Sequence, residues 1–183
     1  MNISDFYIDV LNSFQKNDVE YMVVGGHAVN FHGHIRATLD MDLWVDTNDS
    51  NLMKLNKAFL DLEYNEESIT SALAHLKNEH MIKIPKDNAL IDILDSFMIK
   101  SDFSDCYKNC EIAEIDGVHI KVIGFKDLIE CKYKSNRPKD LLDVKNLQEL
   151  RKIRDNKQNI INDILKPKKE KDKNQGKDFG MSM

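Results

Sequence analysis

Two glycines, Gly25 and Gly26, are followed, after thirteen intervening residues, by an Asp-x-Asp pair, Asp40 and Asp42. On a strand, side chains alternate between faces, so both carboxylates project the same way, roughly 7 Å apart at their base. Carboxylates so placed can share hard cations: Mg²⁺ takes a few carboxylates, waters and phosphate oxygens, and Mn²⁺ suits the same oxygen donors. A glycine pair that leaves a strand and opens a helix lets the backbone approach a phosphate and aim its N–H groups at it. Phosphate chemistry assisted by a metal ion is what these residue types would perform together.

A third carboxylate is needed to complete a metal shell or to take a proton from an attacking hydroxyl. Asp92 stands in the apolar string Leu90-Ile91-Asp92-Ile93-Leu94, where burying a carboxylate is costly unless it has a partner. The alternative is a residue facing solvent on an edge strand. Arg36 and Thr38 precede the acidic pair in the order Arg-x-Thr-x-Asp-x-Asp. Arg36 could bind phosphate oxygens or form a salt bridge that fixes the loop, and Thr38 could hydrogen-bond locally. Farther on, Lys132 to Asp140 read KYKSNRPKD. Taken alone, this is a basic helix end, with Pro138 near the first position of the next helix and Asp140 in its first turn, where a carboxylate favours the helix dipole.

The whole string from Val23 to Asp46, VVGGHAVNFHGHIRATLDMDLWVD, resembles the nucleotidyltransferase superfamily, the toxin-type abortive-infection branch more than the lincosamide and aminoglycoside nucleotidyltransferases. The resemblance extends to the strand around Asp92 and to Lys132–Val144. It implies an α/β (α+β) fold, a mixed β-sheet flanked by helices with a short helical C-terminal part. It also implies an enzyme dependent on Mg²⁺, or Mn²⁺, that moves a nucleoside monophosphate from a nucleoside triphosphate such as ATP to an acceptor hydroxyl on RNA, protein or a small molecule such as an antibiotic. Asp40, Asp42 and Asp92 would be metal-binding and catalytic. Gly25, Gly26, Arg36, Thr38, Lys132, Arg137 and Asp140 would bind nucleotide, Lys132 by neutralising phosphate charge and Asp140 by positioning cationic groups. Two other readings use the same residues. One is a nucleotide- or partner-binding protein without turnover, such as a pseudoenzyme or a toxin–antitoxin component with a cognate regulatory protein; the other is a metal-dependent nuclease.

The elements that must position these residues follow from periodicity. Ser4 is a candidate cap for an amphipathic helix carrying Tyr7, Val10, Leu11 and Phe14. Tyr21–Val24 reads as a buried strand, His27–His32 as a short helix ended by Gly33, and Asp40–Val45 as a second strand. Leu52–Leu62, capped by Asp49 or Ser50, and Ser68–Lys77 read as helices. Residues 81–84 and 89–94 predict a hairpin about Pro85–Asn88, and Asp116-Gly117 predicts a tighter one between Ile112–Ile115 and Val118–Ile123. Helices follow from Gly124 and from Pro138, with a short last helix around Ile160–Leu165.

At 183 residues, 42% hydrophobic and 31% charged, the chain is expected to form one domain over 1–165, with a sheet-containing core over 1–123 and a helical part over 124–165. Residues 166–183, with six Lys against three acidic residues, read as a disordered tail of charge +3; the total of −5 then leaves −8 on residues 1–165. So acidic a body has no bulk attraction for nucleic acid, which leaves a polyanionic substrate to metal ions and local Lys or Arg. The absence of an apolar run of membrane-spanning length and of a signal-peptide pattern predicts a cytoplasmic protein without membrane association. Cys106, Cys110 and Cys131 have no Cys-x-x-Cys spacing and are expected as reduced thiols. His27, His32 and His34 cluster near the glycines but lack ligand spacing for a transition metal. Trp44 shares the parity of Asp42 and could stack on a base, although packing beneath a helix is the commoner outcome.

Overall fold

The computed structural model describes residues 5–86, 89–97 and 99–165. Helix α1 (Asp5–Lys16) leads into strand β1 (Tyr21–Val23), helix α2 (Gly25–Phe31) and strand β2 (Asp40–Val45). Helices α3 (Asp49–Asp61) and α4 (Glu66–Glu79) precede strands β3 (Met81–Lys86) and β4 (Ala89–Leu94). The remaining elements are α5 (Phe103–Lys108), β5 (Glu111–Ile115), β6 (Val118–Val122), α6 (Phe125–Ser135) and α7 (Pro138–Leu165). The strands make one mixed sheet in the order β3-β4-β2-β1-β6-β5. The class expected from sequence, a mixed sheet with flanking helices, is the one observed.

Strand chemistry explains this order. β1 is buried along its whole length and takes the interior, antiparallel to β2 and parallel to β6. β2 and β4 pair in parallel, a connection that needs a long crossover, supplied by α3, α4 and β3. β3 lies at an edge, where Pro85 removes no necessary ladder bond. At the other edge, Asp116 and Gly117 both take positive φ, 52° and 81°, as a tight turn between Ile115 and Val118 requires. Apolar residues of the sheet, including Met22, Leu43, Ile91 and Ile120, and of the helices, including Phe14 of α1 and Phe59 of α3, are fully buried. Asn51 closes the polar account at the sheet end: its side chain donates to the carbonyls of Glu20 (2.9 Å) and Asp46 (2.8 Å) and accepts from the Glu20 amide (2.8 Å).

Several local expectations are corrected. Asn48, in extended conformation, caps α3 by accepting from the Asn51 amide, a geometry Asp49 and Ser50 lack because they are already helical. α4 begins at Glu66, with Asn65 as its cap, and α2 begins at Gly25 rather than His27. α5 has no apolar periodicity long enough to announce it; Asp102 caps it by accepting from the Asp105 amide at 2.9 Å. The helix from Pro138 and the separate one near Ile160 are a single helix, because residues 151–159 include no Gly or Pro to end it and Arg151 pairs with Asp155 one turn on. α6 stops where Asn136 turns left-handed, φ 51°, ahead of Pro138. Ser4, the turn residues Asp87 and Asn88, and the tail 166–183 lie outside the described residues.

The chain divides into two compact units, residues 1–150 and 151–183. The first holds the whole sheet. Described residues of the second form the latter part of α7, with Ile153, Ile160, Ile161 and Ile164 exposed. All three cysteines are free thiols, and no helix among the described residues is long and apolar enough to cross a membrane.

Candidate active site

Register assembles the acidic cluster. Asp40 and Asp42 alternate to the same face of β2, and the parallel pairing with β4 sets Asp92 directly beside Asp42. Antiparallel pairing with β3 then sets Lys83 beside Asp92. One ligand atom from each of the three carboxylates lies within 4.8 Å of the other two. Asp92 sits on an interior strand and is buried, not on an edge facing water. Its carboxylate accepts from the Lys83 ammonium at 2.9 and 2.7 Å.

Burial and the crowding of like charges act together on the middle carboxylate. Burial, then the charges of Asp40 and Asp92, push the Asp42 carboxyl up to about 6, while Lys132 and the Gly26 amide pull it the other way. Tyr7 lies beneath the cluster and donates to the carbonyls of Leu39 (3.2 Å) and Leu90 (3.1 Å), tying the entries of β2 and β4 together. Burial raises its phenol, and the three carboxylates raise it further. Hard oxygen donors with uncompensated charge fit a divalent cation of the Mg²⁺ or Mn²⁺ kind.

The two glycines are demanded by close approach. Gly25 has φ +58°, and a Cβ there would lie 1.8 Å from Asp42 Oδ2. A Cβ on Gly26 would lie 2.4 Å from Thr38 Oγ1 and 3.3 Å from Arg36 Nη1. The missing side chains thus make room for Asp42 and Thr38, and the Gly26 amide hydrogen-bonds toward Asp42. Thr38 Oγ1 in turn donates to the Asp40 carbonyl at 3.3 Å.

Facing the carboxylates is a cationic wall from α6 and α7. Lys132 is buried, and its Nζ lies 2.6 Å from Asp140 Oδ1 and 3.1 Å from Asp143 Oδ2. Asp140 also accepts from Ser135 Oγ at 2.6 Å and from Arg137 Nε. Asp143 is bracketed by Arg36, whose Nε and Nη2 donate to its two oxygens at 2.9 and 3.1 Å. Burial alone would raise the Asp140 carboxyl, but hydrogen bonds from Lys132, Ser135 and Arg137 outweigh it and hold the group at about 2. Lys132, Arg137 and Arg36 against Asp140 and Asp143 give this network one net positive charge, and Lys139 on the same wall adds a second.

Most of these groups line one cavity of about 350 Å³, while Asp143, Lys83 and Tyr7 stand outside its lining, the first two as ion-pair partners of the lining residues Arg36, Lys132 and Asp92. It brings together Asp40, Asp42 and Asp92, the turn residues Gly25, Gly26, Arg36 and Thr38, and Lys132, Arg137 and Asp140 from the helices. Cys131, Ser135 and Lys139 complete the helical side, and Met81, Leu94, Ser96 and Phe97 line the cavity at the end of β3 and β4. Sequence reasoning missed Lys83 and Asp143. The first follows only from the observed register: β3 runs on to Lys86, past the turn expected over Pro85–Asn88, and this sets Lys83 rather than Met81 opposite Asp92. Helical spacing would have found the second, because Asp143 lies three residues after Asp140 on the face that buries Leu147. Ser135 and the apolar wall carried no signal of comparable weight.

The histidines disperse. His32 Nε2 is 2.8 Å from the Ile123 carbonyl, and His34 Nε2 is 3.1 Å from Asn146 Nδ2. His27 is buried edge-on to Tyr7, with no hydrogen-bond partner among the described residues, and burial lowers its imidazole below the usual range. Trp44 packs against Phe97 and Phe103 and donates its indole N–H to the Asp95 carbonyl at 3.1 Å. It is a packing residue.

Comparison with known proteins gives a family model described as a nucleotidyltransferase of unknown function (DUF6036), which matches residues 6–175. Among solved structures, a proposed nucleotidyltransferase of Thermotoga maritima is similar at 14% identity and a TM-score of 0.47, over 82% of this chain and 91% of that one. A structure of ANT(2″)-Ia in complex with adenylyl-2″-tobramycin is similar at 13% identity and a TM-score of 0.45, over 78% of this chain and 84% of that one. The comparison with curated proteins gives no match.

Proposed function

We propose a function from the premise that this chain belongs to the nucleotidyltransferase family matched over residues 6–175: it transfers a nucleoside monophosphate from a nucleoside triphosphate to an acceptor hydroxyl, with Mg²⁺ as its metal. The observation that carries the reading is the placement of three carboxylates, with ligand atoms within 4.8 Å of one another, on one side of a cavity whose opposite wall is cationic. In the reaction, the acceptor oxygen forms a bond to the α-phosphorus as the bond from that phosphorus to the pyrophosphate oxygen breaks. The hydroxyl proton passes to a carboxylate or to water, and pyrophosphate carries away the electron pair.

Asp40 and Asp42 would hold the ion, which when bound supplies charge neutralisation at the phosphate oxygens. Asp92 serves as the third ligand or as the proton acceptor. Lys132 and Arg137, oriented by Asp140, face the cavity and offer positive charge to the β- and γ-phosphates. Arg36 reaches the same wall through Asp143. The Gly25-Gly26 turn and Thr38 bring the backbone close to the triphosphate. An RNA end, a protein hydroxyl and a small molecule are the acceptor classes to be tried, and a cognate regulatory protein is a further candidate partner.

Incubation with Mg²⁺, each α-labelled nucleoside triphosphate, and pooled RNA, protein and aminoglycoside or lincosamide acceptors tests this directly. Label transfer that disappears in Asp42→Asn is the expected result. Metal-dependent nucleotide binding without transfer to any acceptor would instead identify a binding protein without turnover. Neither binding nor transfer would overturn the reading.

A further inference from the structure

We propose that Lys83 is a resident cation of the acidic cluster, standing where a second divalent ion would otherwise bind and limiting the site to one ion in the nucleotide-free protein. This rests on the metal-binding reading of Asp40, Asp42 and Asp92 given above.

Lys83 reaches the cluster by register, as the third member of a row that runs Asp42, Asp92, Lys83 across β2, β4 and β3. Its ammonium contacts both oxygens of Asp92, at 2.9 and 2.7 Å. A carboxylate clamped on both oxygens retains lone pairs, but any ion drawn to them must approach the ammonium closely. Three carboxylates against one ammonium leave a charge of minus two, which a single divalent cation neutralises. The other ammonium nearby, Lys132, is buried and ion-paired to Asp140 and Asp143, and it reaches the cluster only through its charge on Asp42. The Lys83 side chain is 52% exposed while that of Asp92 is 7% exposed. The ammonium is held by Asp92 while the side chain is half exposed, so its removal leaves no cavity in the core.

In a two-ion site the metals stand about 3.5 to 4 Å apart and share carboxylates. Here Lys83 holds Asp92 at the end of the row, so a second ion drawn to Asp92 would have to compete with that ammonium. Asp40 and Asp42 remain open to the single ion.

The test is titration of the full chain with Mn²⁺ alone at neutral pH, reading free ion by its paramagnetic resonance signal, for the wild type, Lys83→Met and Lys83→Arg. We expect one equivalent bound by the wild type and by Lys83→Arg. Lys83→Met should bind the first ion on the order of tenfold more tightly and acquire a second equivalent, because the competing charge is gone. Circular dichroism of each variant checks that the fold is kept. Two equivalents in the wild type, or the same number and affinity in Lys83→Met, would overturn the role of Lys83 and leave the metal site standing. No binding by any of the three proteins would overturn both.

Discussion

At the scale of the residue, Asp42 is held against its own preference. An ordinary carboxylate titrates near 4, but burial and two like charges raise this one to about 6. A folded-state value above the unfolded one means that the metal-free fold prefers the protonated form, so stability falls as pH rises from about 4 through 6. Asp42→Asn removes that charge. The variant should lose transfer activity yet gain about 1–3 kcal/mol of stability without metal at pH 7, and should show a flatter dependence of melting temperature on pH over that window. Thermal melts in a chelator across the pH range check this; an unchanged melting temperature at pH 7 would show that the charge is already neutralised in the metal-free fold. Gly25→Ala acts from the other side of the same contact. A left-handed backbone costs a side chain about 1–2 kcal/mol, and the added Cβ cannot share the place of the Asp42 carboxylate. Urea denaturation should show at least that loss, together with weakened Mn²⁺ binding. A variant as stable as the wild type, with full metal affinity, would contradict the geometry.

At the scale of the element, α6 and α7 meet through charge rather than through apolar contact alone. Lys132→Met leaves Asp140 and Asp143 buried without the ammonium between them, a change that should cost about 3–5 kcal/mol in chemical denaturation. The same network has an acid limit. Asp140 is held at about 2, below its ordinary value, so its stabilising contribution is complete above about 4 and disappears as pH falls toward 2. Denaturation midpoints measured down that range should drop more steeply for the wild type than for Asp140→Asn. Elements of this kind were partly legible. Strands with strong alternation or turn chemistry, such as β2 and the Asp116-Gly117 hairpin, could be read because their signals are local. α5 and the continuity of α7 could not, since one is too short for periodicity and the other depends on the absence of a stop signal. The site was legible where spacing within a strand defines it, as for Asp40 and Asp42. Asp92 stood out by its cost of burial in an apolar strand, but Lys83 was hidden, because it becomes a neighbour of Asp92 only once the hairpin register is known.

At the scale of the whole molecule, the charge excess on residues 1–165 gives no general attraction for a polyanion, which concentrates the task in one cavity. That cavity gathers residues from three stretches: the β1–β2 region, the β3–β4 hairpin with its exit, and the α6–α7 junction. The apolar wall of Met81, Leu94 and Phe97 could not be read in advance, because each residue looked like any other core candidate until the ends of β3 and β4 were placed. The parallel pairing of β2 with β4 also has a consequence for the route by which the protein reaches its native state. Those strands can join only after the chain between them, from α3 through β3, has been laid down, so the three carboxylates converge across a long loop. Asp40 and Asp42 lie on one strand, but a cation that also takes Asp92 as its third ligand has little to grip in a transition state where β2 and β4 have not met. Saturating Mn²⁺ should therefore slow unfolding in proportion to the stability it adds while leaving the refolding rate nearly unchanged, as stopped-flow traces in both directions can establish. A rate of refolding that rises with the ion would instead mean that β2 and β4 meet early, ahead of the elements that connect them.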